Sequence, residues 1–184
     1  MNEGIIATRY ARALLKYAGE TGKEDEVYAQ ASALVLLFQK IPRFRDVVEG
    51  NRELPVEKKL SLMETALGQG LADAIIRFAA LVDSRSRMEY WSRMLASFVD
   101  MYREVRQIRT GSLVTAVRHE DLRERLEAAM EERLGGTVVL EDRVDGSLIG
   151  GFVLEVEGLR MDASVDGQLR RIRKELIEKD NRII

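Results

Sequence analysis

The chain has 184 residues, with Lys+Arg 29 against Asp+Glu 31, a formal net charge of -2, no cysteine and one histidine. These counts exclude a disulfide framework, a thiolate nucleophile, a zinc–cysteine site and a multi-histidine metal site. The near-neutral balance argues against a nucleic-acid binder, which presents a basic face, and 46% hydrophobic with 33% charged residues predicts a globular chain.

The length suits one or two domains. No uncharged apolar stretch approaches the roughly 20 residues of a spanning helix. The N-terminal residues include Glu3 and show no apolar core of signal-peptide type. The expected setting is a bacterial cytoplasm, with a membrane-peripheral position left open.

Helical periodicity dominates residues 1–105. Ile6, Tyr10, Ala13, Leu14 and Tyr17 fall on one face of a first helix, which Gly19 and Gly22 are expected to stop. Val27, Ala31, Leu34 and Phe38 form a second stripe, ended by Pro42. Phe44, Val47 and Val48 indicate a short third helix closed by Gly50. Pro55 suits the first turn of a fourth, whose inner face is Val56, Leu60, Met63 and Leu67. Leu71, Ile75, Phe78 and Val82 make a fifth. Met88, Trp91, Leu95, Phe98, Tyr102 and Val105 make a long sixth. Short connections between them predict antiparallel neighbours, so this part reads as a six-helix bundle.

Eight of the 14 glycines follow residue 110, which marks a change of architecture. Residues 112–117 are rich in β-branched side chains and read as a strand. Leu122, Leu126, Ala129, Met130 and Leu134 restore helical spacing until Gly135 and Gly136. Residues 137–140 are strand-like. Residues 148–156 and 159–165 form a hairpin turning at Gly158. A charged helix closes the chain over 169–177. The fold class is α+β: a helical domain at 1–105 and a smaller α/β domain at 106–184. Acidic and basic side chains balance within residues 1–105, so no electrostatic partner follows from charge alone.

Chemistry is sparse. The cluster Gly146-Ser147-Leu148-Ile149-Gly150-Gly151 lacks the lysine of a phosphate loop, and a strand follows it. It reads as a bulge where backbone is closely approached. His119 has no recognisable nucleophile or orienting partner and reads as an exposed first-turn residue. Glu24-Asp25-Glu26, Glu131-Glu132 and Glu141-Asp142 read as solvated helix starts, helix faces and turns, with Glu24 to Glu26 suited to a helix N-terminus. Arg170-Arg171-Ile172-Arg173-Lys174 carries no interleaved aromatic for base stacking, and reads as a solvated or salt-bridged helix face. Small Ala7, Ala11 and Ala13 would let another helix approach, so the bundle offers a groove for an amphipathic helix.

Several motifs, in order, resemble one family. Ala7-Thr8-Arg9-Tyr10-Ala11-Arg12-Ala13-Leu14-Leu15 is similar to the opening helix of the delta subunits of F-type ATP synthase, called oligomycin-sensitivity-conferring proteins in mitochondria. Asn51 to Lys59 is similar to that family's loop and proline-started fourth helix. Ile76-Arg77-Phe78-Ala79-Ala80-Leu81-Val82, with Arg85 and Arg87, resembles its fifth helix and basic turn. Val144-Asp145-Gly146-Ser147-Leu148-Ile149-Gly150-Gly151-Phe152 is followed at family spacing by Met161-Asp162-Ala163-Ser164-Val165 and Gln168-Leu169. Departures are Asp83-Ser84 where the family has asparagine-glycine, Ala163 where it has a glycine, and Asp166 where a basic residue is common.

The resemblance implies a stator subunit without catalysis or cofactor, linking the catalytic head to the peripheral stalk. The helical domain is expected to bind the N-terminal helix of an alpha subunit between its first and fifth helices. Carried over, the partner-binding residues are Arg9, Tyr10, Ala13 and Leu14, with Ile75, Phe78 and Ala79. The second domain is expected to meet the C-terminal helices of the b subunits. The implied location is the cytoplasmic side of a bacterial inner membrane, reached only through the complex. A generic helical adaptor is the alternative.

Overall fold

Apolar spacing and a few chain breakers set the helices of the computed structural model, which describes residues 3–117 and 120–180. Helix α1 (Glu3–Thr21) is followed by α2 (Glu24–Lys40), α3 (Pro42–Gly50), α4 (Val56–Leu67) and α5 (Asp73–Ser84). A 3-10 turn at Met88–Tyr90 then leads into α6 (Trp91–Arg106). Two compact units result, Met1–Arg103 and Glu104–Ile184.

The buried stripe of α1 is Ala7, Ala11, Leu14 and Ala18. The expected stripe was turned toward Ala13, which is instead exposed, while Tyr10 and Tyr17 lie half-buried on the flank. Small side chains take the inner face because close-packed helices leave little room there. Gly19 does not stop the helix. It runs on to Thr21, whose hydroxyl donates to the Tyr17 and Ala18 carbonyls, and Gly22 ends it at a φ of 65°. Pro42 does more than end α2: it is the first residue of α3, separated from α2 by Ile41 alone.

All of α1 to α6 contribute to one hydrophobic core that includes Leu34, Met63, Ile75, Trp91, Leu95 and Phe98. Two polar side chains, Gln30 and Lys59, are sealed into this unit. Gln30 donates to the Gly70 carbonyl at 3.0 Å and accepts from the Ala72 amide at 2.7 Å, which satisfies two backbone groups of the α4–α5 connection.

The second unit is a four-stranded mixed sheet with two helices. Strand β1 (Ile108–Thr115) begins earlier than the sequence pattern indicates, because its first half carries polar residues that a strand distant in sequence nevertheless pairs. Helix α7 (Glu120–Leu134) crosses to β2 (Thr137–Val144), which lies parallel to β1 from Ile108↔Thr137 to Thr115↔Val144. Strands β3 (Phe152–Val156) and β4 (Leu159–Asp162) form the expected hairpin, with Glu157 and Gly158 both at positive φ in the turn. Residues 148–151, expected in the strand, precede it as a loop. The sheet order is β2-β1-β3-β4. Leu113, Val138, Leu140, Leu154 and Val156 form its small core, covered by Leu126, Met130 and Leu134 of α7. Helix α8 (Val165–Asp180) ends the described chain.

Candidate partner-binding faces

The pairing of α1 with α5 is built on aromatic rings. Tyr10 and Phe78 meet with centroids 6.3 Å apart, and Phe78 lies 5.3 Å from the buried Trp91. Arg87, beyond the end of α5, donates from Nη1 to the Tyr10 hydroxyl at 3.0 Å, with its guanidinium 5.5 Å from the ring centroid. That pair fixes the tyrosine with its ring half-buried, one edge on the core and one on the surface.

The seven residues carried over by resemblance divide into two groups. Leu14, Ile75, Phe78 and Ala79 are buried in the unit's core, where they join the two helices. Arg9 and Ala13 are exposed, and Tyr10 bridges the groups. The remaining apolar surface on these helices comes from residues not singled out beforehand, Ile5 at 67% exposure and Leu81 at 46%. Spacing could have found Leu81, one turn after Phe78 on the same side of α5. A shallow recess of about 660 Å³ runs along the outer face of α1 past Ile5, Thr8 and Ala13, rimmed by Arg9, Arg12 and Lys16. On α5, Arg77 donates to Asp73 at 2.6 Å, a bond that raises the already high guanidinium pKa.

In the second unit two Asp-x-Ser turns shape the matched motifs. Asp145 accepts from the Ser147 amide at 2.9 Å and hydroxyl at 2.6 Å, and Asp162 accepts from the Ser164 amide at 3.0 Å and hydroxyl at 2.5 Å. These bonds hold both carboxyls below the ordinary aspartate pKa, the serine hydroxyl being the larger cause in each. Ser164 Oγ also accepts from the Gly167 amide at 3.0 Å, capping α8. Gly151, at a φ of 77°, brings the two motifs together. A Cβ there would stand 2.3 Å from the Ala163 carbonyl oxygen. The double glycine is thus a point of close backbone approach.

Helix α8 presents an exposed apolar line, Leu169 at 56% and Ile172 at 53% with Val165. Arg170 pairs with Asp166 at 2.8 Å, while Arg171 and Arg173 face solvent. The acidic clusters have structural partners: Glu24, Asp25 and Glu26 fill the first turn of α2, and Asp25 accepts from the Tyr102 hydroxyl. His119 lies outside the described residues. Among the described residues no group of three His, Cys, Asp or Glu side chains could hold a metal ion, and no helix is long and apolar enough to cross a membrane.

A family model described as the ATP synthase delta (OSCP) subunit matches residues 6–176. The chain belongs to the ATP synthase delta (OSCP) family. It is 38% identical to ATP synthase subunit delta of Phocaeicola vulgatus, over 98% of each chain. The subunit of the same name from Bacteroides thetaiotaomicron is 33% identical over the full length of both. The fold resembles that of a chain in the cryo-EM structure of the Toxoplasma gondii mitochondrial ATP synthase hexamer. The TM-score is 0.59 at 21% identity, covering 96% of this chain and 98% of that one. The role carried by the delta (OSCP) family is that of a component of the peripheral stalk, or stator, of F-type ATP synthase.

Proposed function

We propose that this delta-family chain ties the catalytic head to the peripheral stalk by holding one helical partner on each unit, with no catalytic step of its own. In this reading α1 to α6 act as one six-helix bundle, and the N-terminal helix of an alpha subunit lies along α1 and α5. Tyr10, Ala13 and Arg9 meet it directly. Leu14, Ile75, Phe78 and Ala79 hold the two helices at the spacing it needs. The carrying observation is the Tyr10–Phe78–Arg87 cluster, a rigid aromatic edge between exposed Ala13 and Leu81. Aromatic anchors of that kind supply most of the affinity in helix-in-groove contacts. The C-terminal helices of the b subunits meet the second unit, a role suited to the exposed line on α8. The complex sits at the cytoplasmic side of a bacterial inner membrane, and this chain reaches the membrane only through its partners.

Titration calorimetry with a peptide from the start of an alpha subunit tests the first contact. Binding is expected at tens of micromolar or tighter. The Tyr10→Asp variant should bind about 30-fold more weakly, the equivalent of roughly 2 kcal/mol. A folded Tyr10→Asp chain that binds like wild type removes Tyr10 from the site. The chain alone should hydrolyse no ATP; turnover that a single side-chain substitution abolishes would overturn the non-catalytic reading.

A further inference from the structure

Strand β2 is an edge of the sheet, yet two of its outward amides are occupied. The Val138 amide donates to Glu131 Oε1 at 2.9 Å and the Leu140 amide donates to Glu127 Oε1 at 2.9 Å. The match is metrical. Residues two apart on a strand point the same way and advance about 6.6 Å, and residues four apart on a helix share a face and advance about 6 Å. One further step along each element reaches Arg123 and Asp142, which pair at 3.6 Å. Helix α7 therefore lies along β2 in register, rung against rung, beyond the apolar contacts of Leu126, Met130 and Leu134.

An unguarded edge would be hazardous here. Residues 137–140 read Thr-Val-Val-Leu, uncharged and rich in β-branched side chains, which is the composition that favours pairing between chains. We propose that Glu127 and Glu131 act as an autoinhibitory guard on β2, filling the amides through which it would otherwise pair antiparallel with β2 of a second copy of this chain. Self-pairing is the fitting partnership because an uncharged run opposes itself without like-charge repulsion across a two-fold axis. The guard keeps the chain single, whatever subunits it goes on to meet, so the inference stands apart from the partner assignments above.

The test uses the full chain. In E127A/E131A the Val138 and Leu140 amides should exchange with solvent on the order of tenfold faster in dilute solution, and sedimentation velocity should show a dimer growing with concentration. E127Q/E131Q keeps a carbonyl acceptor at each rung and should remain monomeric like wild type. Adding D142P to the alanine pair removes the next outward amide and should abolish the dimer. A folded E127A/E131A chain that stays monomeric overturns the proposal. So does a glutamine variant that dimerises as readily as the alanine one, or a dimer indifferent to D142P. Should the alanine pair fail to fold, E127A alone decides: the Leu140 amide is expected to lose protection while Val138 keeps it, and equal behaviour of the two overturns the guard.

Discussion

The helical unit buries Trp91, Phe38, Phe78 and Phe98 among aliphatic side chains from all six of its α-helices, whereas the sheet unit rests on five buried aliphatic residues and one covering helix. The contrast teaches where each draws its stability. Small units bury a lower fraction of their surface, and the sheet unit compensates with backbone devices: the Gly151 approach, the two Asp-x-Ser turns and the carboxylates on β2. Side-chain volume should therefore govern the first unit and local backbone chemistry the second.

The sharpest way to break this comparison is Phe98→Ala. Phe98 is fully buried, and its truncation should cost about 3–5 kcal/mol, measured by urea unfolding and amide exchange. The loss should fall on amides of α1 to α6; an equal loss across β1 to β4 would show that the units unfold as one. Next comes Gly151→Val, which forces a β-branched residue to positive φ against the Ala163 carbonyl. The expected cost is roughly 2–4 kcal/mol, read in the β3–β4 amides, while Gly146→Ala, with open space around its Cβ position, should be near neutral. Gln30→Leu orphans the Gly70 carbonyl and the Ala72 amide and should cost about 2 kcal/mol of the helical unit. Ser164→Ala removes the α8 cap and should cost about 1 kcal/mol, seen as faster exchange at the Gly167 amide.

Acid gives the smallest effect. The Asp145 and Asp162 carboxyls have folded pKa values below the ordinary 3.8. Their contribution is therefore present above that value and fades as pH falls through the lower folded value. The turn amides of Ser147 and Ser164 should hold their chemical shifts from neutral pH to about pH 4 and move only below it, as nuclear magnetic resonance titration would show.

Much of this was legible from spacing, and the failures have physical causes. Apolar periodicity located the helices, but it cannot distinguish a residue in the core from one in a groove. Leu14, Ile75 and Ala79 carry the right chemistry for either and lie in the core. Ala13 was misplaced because the tyrosines on the flank weighted the face toward them, while three alanines of little hydrophobic weight took the interior. The double glycine announced a close approach, since no other residue suits a positive φ beside a carbonyl. The first half of β1 escaped notice because its polar residues are held by β2, a strand distant in sequence. Glu127 and Glu131 were invisible as functional groups: on a charged helix, a carboxylate bonded to a strand edge looks the same as one facing water. Tyr10 and Phe78 emerged as site residues through family resemblance, while their ring contact and the Arg87 bond to Tyr10 needed the fold.

The aromatic imbalance between the units has an optical consequence. The single tryptophan, Trp91, and all five tyrosines, Tyr10, Tyr17, Tyr28, Tyr90 and Tyr102, belong to the helical unit. Near-ultraviolet absorbance and tryptophan emission therefore report on that unit alone, and a fragment carrying only the sheet would pass an absorbance detector nearly unseen. Phe152→Trp would place a fluorophore at the rim of the sheet's core, giving the silent half a signal of its own.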